Sequence, residues 1–381
     1  MTDRRQGTDP ATLRRHFGTD EGLISLWIAE PAIELSPDVV EAVTARGALG
    51  WYGYETRPDS ILEAFRSWVA DRHGWDISEA HTLVSPSVGT SIGVLIDEIT
   101  EPGDGVILQP PVFTDFKTLI ASGDRVAVRN PLVLTDDGYR IDFDDLETTA
   151  SEGRNRMLIL CSPHNPVGRV WSPGELDRVA SICARHDVFV VADEIHADLA
   201  LAPTSFVPFA HAAAAHDVSW AATHGPIKTF GLAGVCDTVL VTNRANVAQS
   251  FQTRSSQLHL TRNNVFGLAA FEAAYRHGDR WLDEFLALIS DNIELIRQGL
   301  PSEIELIVPE GTYLAWLDLR RLGHEVTAIP GWLASAAGLA LSPGHWFGRE
   351  GAGFARMTIA APSAVVEQAV TQLTAAVQRR L

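Results

Sequence analysis

Short apolar runs of strand length recur between amphipathic stretches through the middle of the chain, at 105–109, 125–129, 157–161, 188–192, 218–222 and 238–242. Their apolar residues mostly run consecutively rather than alternating, which is how a strand buried on both faces of a parallel sheet reads. Between the runs, apolar residues at helical spacing predict helices over 87–100, 113–122, 144–151, 173–186 and 247–258. Strand and helix in alternation predict a doubly wound, mainly parallel α/β sheet. After about Phe266 the pattern changes. Helical stretches at 267–277 and 280–300 lead to a strand at 313–318, a helix at 326–337, short strands near 339–342 and 354–359, and a closing helix. This predicts a smaller α+β domain that shares its core with the N-terminal arm around 23–46. The expected division is a large domain over 47–280 and a small one made of 1–46 and 281–381.

Composition narrows the class. A chain of 381 residues, 46% hydrophobic and 20% charged, is long enough for two or three domains and is neither disordered nor collagenous. With 30 basic against 48 acidic residues, its net charge of -18 would repel a polyphosphate, so nucleic acid is not an expected partner. Cys161, Cys183 and Cys236 are too scattered for a disulfide framework and fit a reducing cytoplasm. Residues 1–21 lack the apolar core of a signal peptide, and no run nears the roughly 20 residues of a membrane span. We expect no membrane partner and a cytoplasmic location. One further count matters for chemistry: only two of the basic residues are lysines, Lys117 and Lys228.

Parallel α/β sheets carry functional residues on loops at the carboxyl ends of strands. Four such ends are marked: Pro110-Pro111-Val112-Phe113, the string from Ser162 to Arg169, Asp193-Glu194-Ile195-His196, and His224-Gly225-Pro226-Ile227-Lys228. They bring a lysine, an acid, an amide and an aromatic ring to one sheet edge. Pyridoxal 5'-phosphate needs such a set: an amine for a Schiff base, a carboxylate at the pyridine nitrogen, a flat group over the ring, and amide donors for the phosphate. Lys228, Asp193 and Phe113 are the candidates for the first three. The helix start at Ser87, Val88, Gly89 and Thr90 offers free N–H groups and a favourable dipole end for the phosphate.

The strings SPHNPVGRVW, ADEIHADL, IKTFGLAG, GTYLAWLDLR and SPGHWFGREGAGFARM resemble those of fold-type I pyridoxal-phosphate enzymes of the class I/II aminotransferase superfamily. They are most similar to the cystathionine β-lyase-like cysteine–sulfur lyases of the MalY/PatB type. The likeness runs from about Leu26 to Ile359. It implies a mainly parallel seven-stranded sheet, Lys228 as the Schiff-base lysine, Asp193 at the pyridine nitrogen and Asn165 at the cofactor's phenolic oxygen. His196 stands where many aminotransferases of this fold carry a tyrosine. Arg356 matches the arginine that grips the substrate α-carboxylate, with Ala29 touching the same carboxylate and Trp27 beside the pocket. Tyr54 would reach the phosphate of a neighbouring subunit, which implies a homodimer with sites at the interface.

There are departures from the family pattern. The usual Ser-x-Ser-Lys is Gly225-Pro226-Ile227-Lys228 here, so two hydroxyls for the phosphate are missing; His224, Thr90 or Thr229 could replace them. The usual asparagine after Lys-Thr-Phe is Gly231, the stacking tyrosine is Phe113, and the early Trp-Val-Ala-Asp-Met-Asp-Phe string is reduced to residues 27–33. Structural readings compete elsewhere. Lys117 falls on an amphipathic helix and reads as solvated, His164 as a packing histidine, and the glycines at 348–353 as a flexible pocket loop. Asp193, Glu194, His196 and Asp198 could pass for a metal cluster, but their spacing does not aim them one way, so no metal is expected.

The reaction implied is β-elimination from an L-cysteine S-conjugate or cystathionine to thiol, pyruvate and ammonia. The alternatives on the same scaffold are an aminotransferase and an oxidative or decarboxylating deaminase. A protein that uses the cofactor only structurally is the alternative from another class.

Overall fold

The computed structural model describes residues 6–379; residues 1–5 and 380–381, the ends of the expected small domain and the start of the stretch read as lacking a leader, lie outside the described residues. Seven strands form the main sheet: β1 (His81–Ser85), β2 (Gly105–Leu108), β3 (Val126–Arg129), β4 (Asn155–Cys161), β5 (Phe189–Asp193), β6 (Trp220–His224) and β7 (Thr238–Thr242). Their spatial order is β1-β7-β6-β5-β4-β2-β3. β7 runs antiparallel to both neighbours and the remaining pairs are parallel.

The continuous apolar runs have a simple cause. Successive side chains of a strand point to opposite faces, and here both faces are covered. Leu158 and Leu160 of β4 join one core with Val190, Ala192, Val239 and Val241. Met157, Ile159 and Cys161 join a second core on the other face with Val191, Ala221 and Leu240. The edge is different. In β1 only Leu83 and Ser85 are buried while His81 is exposed, so the strand carries little apolar signal and is absent from the sequence reading. The helix Ser60–His73 and the hairpin of Val133–Thr135 with Gly138–Arg140 are likewise additions.

β6 begins two residues later than its apolar run predicts, at Trp220 rather than Val218. The Asn243 side chain accepts from Trp220 N at 3.0 Å and donates to the Val218 carbonyl at 2.9 Å, closing the strand entry as a loop. The shift places Thr223 and His224 in the sheet and Lys228 on a one-turn helix, Pro226–Thr229, directly after it.

A second, antiparallel sheet comprises β8 (Glu305–Ile307), β9 (Leu314–Asp318), β10 (Ser342–Pro343) and β11 (Phe354–Thr358) in the order β8-β9-β11-β10. The N-terminal arm is stitched to this part of the chain. Ile24–Ser25 pairs in parallel with Leu339–Ala340, and Thr358 N donates to the Leu26 carbonyl at 2.8 Å. The arm thus passes directly over the carboxyl ends of the main sheet.

The helix Val265–His277 packs behind the lysine segment at very close range. A Cβ on Gly267 would lie 2.2 Å from the Val235 carbonyl oxygen, a backbone atom that cannot swing away. We predict that Gly267→Ala lowers stability by about 1–3 kcal/mol through overpacking. Urea unfolding followed by tryptophan fluorescence would show a lower midpoint; an unchanged midpoint would refute the close contact.

Candidate active site

Two basic side chains reach the arm, Lys228 from the one-turn helix after β6 and Arg356 from β11. Lys228 Nζ donates to the Ala29 carbonyl at 2.8 Å, and the same oxygen accepts from the Tyr313 hydroxyl at 3.1 Å. Burial pushes the amine below the usual lysine range, and the neighbouring Arg356 charge adds to the effect. Both effects make the neutral amine, the form that acts as nucleophile or base, easier to reach than in an exposed lysine. Lys117, by contrast, is exposed.

Arg356, on β11, is fully enclosed. Its Nη1 donates to Asn165 Oδ1 at 3.0 Å and its Nη2 to the Trp27 carbonyl at 2.7 Å and Ser342 Oγ at 3.2 Å. The guanidinium lies 4.8 Å from the Phe347 ring centroid. Burial pushes its pKa down to about 10, so it stays charged at neutral pH. Its Nε is buried without a protein partner, as is Nδ1 of His196. Burial, with the charges of Lys228 and Arg356, drives the His196 pKa well down and keeps the ring neutral. Leaving such atoms unpaired costs about 1–3 kcal/mol each. A carboxylate on the guanidinium and an oxygen facing the imidazole would remove that cost, which is what an α-amino acid and the cofactor's phenolic oxygen supply.

Asp193 ends β5, between Cys161 and Thr223 in the sheet register. Its Oδ1 accepts from Thr223 Oγ1 at 3.0 Å and Ile195 N at 3.3 Å. Burial raises its pKa to about 6, against the opposing pull of these bonds and of Lys228. A carboxyl held in that condition is stabilised as an anion by a cationic partner, and a protonated pyridine nitrogen is one.

The phosphate end is built differently from the family pattern. Ser87 caps the helix Val88–Ile99: its hydroxyl accepts from Thr90 N at 3.0 Å and lies 2.9 Å from Thr90 Oγ1. The first-turn N–H groups of Val88 and Gly89 have no acceptor within the helix. Thr229 does not compensate for the missing serines, since its hydroxyl donates to Asp198 Oδ2 at 2.8 Å on the far side of the one-turn helix. Nor does His224, whose Nε2 lies 2.8 Å from Glu194 Oε2 and whose ring packs on Trp75 and Phe65. Of the three replacements considered, Thr90 is the one at the helix start.

The remaining expected residues fall in several places. Phe113 opens the helix Thr114–Ser122, its ring edge-on to Phe116 at 5.4 Å. Trp27 reaches Arg356 through its carbonyl only; its indole donates to the Gly7 carbonyl at 3.2 Å and packs with Phe17, His16 and Trp346. Tyr54 is 88% exposed and does not join the others within one chain. It lines a groove of about 1030 Å³ with Tyr52, His259 and Asn263, and Arg262 sits 5.7 Å from its ring. His164 is enclosed, with Nε2 3.1 Å from the Gln109 carbonyl and a pKa pushed down to about 3 by burial. The glycine loop is packed rather than loose, because a Cβ on Gly344 would sit 2.1 Å from the Gly351 carbonyl.

Ser342 and Phe347 contact Arg356, Tyr313 shares the Ala29 carbonyl with Lys228, and none of the three was among the candidate site residues of the sequence. All three lie inside strings that carried the resemblance, which was the available signal.

The chain matches the model of the family described as aminotransferase class I and II over residues 24–373. It is 34% identical to cystathionine β-lyase PatB of Bacillus subtilis, covering 94% of both chains. Cystalysin from Treponema denticola, a crystal structure containing pyridoxal 5'-phosphate, superposes with a TM-score of 0.92 at 27% identity, covering 100% of this chain and 98% of that one. A pyridoxal-phosphate-bound C–S lyase from Staphylococcus hominis, complexed with L-cycloserine, gives 0.91 at 27% identity, covering 99% and 96%.

The raised Asp193 pKa sets a pH dependence for the cofactor-free protein. Between its ordinary value of 3.8 and about 6, the folded state keeps a proton that the unfolded chain has released, so stability falls as pH rises through that window. Above it the deficit is roughly 3 kcal/mol. Asp193→Asn should remove this fall in urea titrations run across pH 4–7, and a cofactor-free variant that keeps the wild-type slope would contradict the assignment.

Proposed function

The chain belongs to the class I and II aminotransferase family, and on that premise we propose that it is a pyridoxal-phosphate-dependent C–S β-lyase acting on L-cysteine S-conjugates or cystathionine. The observation that carries the choice of reaction is the 34% identity with cystathionine β-lyase PatB across nearly the whole of both chains. The geometry supports an α-amino acid as substrate: a buried guanidinium with a free Nε, and a lysine whose pKa burial lowers.

Lys228 is assigned the covalent hold on the cofactor, Asp193 its ring nitrogen, Asn165 and His196 its phenolic oxygen, Phe113 its face, and Val88, Gly89 and Thr90 its phosphate. When bound, pyridoxal phosphate supplies an electron sink that accepts the pair left on Cα and returns it to expel the group on Cβ. Arg356 and the neighbourhood of Ala29 fix the substrate carboxylate. The Lys228 amine, free once the substrate amine had taken its place, would be the base that takes the Cα proton. The Cβ–S bond then breaks and the thiolate leaves with the bonding pair. Aminoacrylate is released and hydrolyses to pyruvate and ammonia. Asp193 would hold a negative charge towards a protonated ring nitrogen and so favour the cofactor's action as an electron sink.

We also infer a homodimer in which Tyr54 completes the phosphate site of the neighbouring subunit. Exposed Trp51, Tyr52 and Tyr54 beside the groove support this reading, since clustered exposed aromatics mark an association surface. A cytoplasmic location is kept as part of the proposal; among the described residues no helix is long and apolar enough to cross a membrane.

Two measurements test these statements. Purified protein given a panel of S-substituted cysteines and cystathionine should release thiol and pyruvate in equal amounts, and Lys228→Arg should abolish both because arginine keeps the charge but loses the nucleophile. Absence of both products across the panel, or transfer of the amine to a 2-oxo acid instead, would overturn the lyase reading. Sedimentation equilibrium should give twice the 41.4-kDa chain mass. Tyr54→Phe should weaken cofactor retention, and a monomer with full activity would refute the shared site.

A further inference from the structure

We propose that Asp198 is a positioning residue that sets the direction of the Lys228 side chain through Thr229, an inference that rests on Lys228 being the reacting amine. Lys228 stands on a helix of one turn, Pro226–Thr229, closed by a hydrogen bond from Phe230 N to the Pro226 carbonyl at 2.9 Å. A single turn has almost no stability of its own, because it fixes several dihedrals for one hydrogen bond. Its orientation must come from outside contacts. Consecutive helical residues point about 100° apart, so Lys228 and Thr229 face different ways. Lys228 reaches the Ala29 carbonyl, and Thr229 turns to Asp198 Oδ2 at 2.8 Å.

Asp198 is itself held fast. Its Oδ1 accepts from the Trp68 indole at 2.8 Å and contacts His73 Nε2 at 2.8 Å, both from the helix Ser60–His73. Burial would raise the Asp198 pKa, but the bonds from His73, Trp68 and Thr229 outweigh it and hold the carboxyl below its usual range. The group is thus a fixed anion with its acceptor sites aimed by geometry. Trp68 also packs edge-on against Phe230 at 5.7 Å, so the two residues after Lys228 rest on one floor. The floor is tied down in turn, since Arg72 bonds Asp279 and Asp283 at 2.9 Å each. Nothing in the proposed chemistry touches Asp198, yet the lysine's supporting turn has Thr229–Asp198 as its side-chain hydrogen bond to the body of the protein.

The test uses the near absence of lysine from this chain. In cofactor-free protein, brief reductive methylation followed by peptide mass spectrometry reads Lys228 against exposed Lys117 as an internal reference. Thr229→Val removes the hydroxyl without changing shape, and Thr229→Ser restores it. The expected result for Thr229→Val is a severalfold higher Lys228-to-Lys117 labelling ratio, a changed visible spectrum of bound cofactor, and kcat reduced by up to about 100-fold with little change in KM. Thr229→Ser should return all three towards wild type, and Asp198→Asn should resemble Thr229→Val. A Thr229→Val protein with wild-type labelling, spectrum and kcat overturns the proposal whether or not Asp198→Asn folds. So does a Thr229→Ser protein as impaired as Thr229→Val. Failure of wild-type protein to bind pyridoxal phosphate would instead sink the functional reading, and the labelling ratio would still report on the positioning.

Discussion

Two basic side chains, half-buried Lys228 and buried Arg356, are held by backbone carbonyls, an amide oxygen and a hydroxyl, and the arrangement of the rest follows from that. Isolated charges in a protein interior are costly unless hydrogen-bonded. Among the described hydrogen bonds of these two side chains none goes to a carboxylate; they go to the carbonyls of Trp27 and Ala29, the Asn165 amide and the Ser342 hydroxyl. Carbonyl dipoles solvate a cation without cancelling its charge, so each cation continues to act on its neighbours. Burial and then the Arg356 charge lower the Lys228 pKa, and burial with both charges drives the His196 pKa down. On the proposed reading, a carboxylate salt bridge to Arg356 would occupy the position that the substrate carboxylate needs.

The arm segment that supplies those carbonyls is therefore as much part of the site as the side chains. It is delivered by pairing of Ile24–Ser25 with Leu339–Ala340 and by the bond from Thr358 N to the Leu26 carbonyl. Ser342 and Arg356 face each other in the register of β10 and β11. Three distant stretches of chain thus depend on one another at a single point. The large sheet contributes the opposite wall, with Asp193 at the end of β5 and Lys228 just beyond β6.

The sequence made much of this legible where the signal was local. Strands buried on both faces announced themselves as apolar runs, and β1 did not because one of its faces is only half covered. Lys228 stood out because the chain has one other lysine, and Asp193 because a polar residue ended a continuous apolar strand. What the sequence hid was whatever depends on backbone or on distant register. Trp27 was chosen for its ring, yet its carbonyl binds Arg356, and a backbone oxygen carries no residue letter. Tyr313 and Ser342 reach the site only because β9, β10 and β11 pair as they do. Asp198 looked like one member of an acidic cluster. In space Glu194 turns to Phe209 N and His224, and Asp198 to Trp68, His73 and Thr229, so the cluster of the sequence is four separate environments.

The departures at Gly225 and Ile227 have a structural counterpart. A Cβ at Gly225 would meet the Thr238 Cα and Cγ2 at 3.2 Å, tighter than most real contacts, so a serine there requires β7 to give way. Thr238 cannot easily retreat, since it pairs with Ser85 in the sheet and donates its hydroxyl to the Ser85 carbonyl at 3.1 Å. Ile227 is half-buried against the main core, which suits a hydrocarbon and not a hydroxyl. Hydroxyls are present elsewhere: Ser85, Ser87 and Thr90 line the turn from β1 into the helix Val88–Ile99, where Ser85 Oγ donates to the Ser87 carbonyl at 3.1 Å and Ser87 Oγ lies 2.9 Å from Thr90 Oγ1. On the proposed reading, the phosphate is then held more by the start of that helix and less by the residues before the lysine. On the site side the one-turn helix is then held through Lys228 itself, and the Thr229–Asp198 contact is its side-chain bond on the side behind.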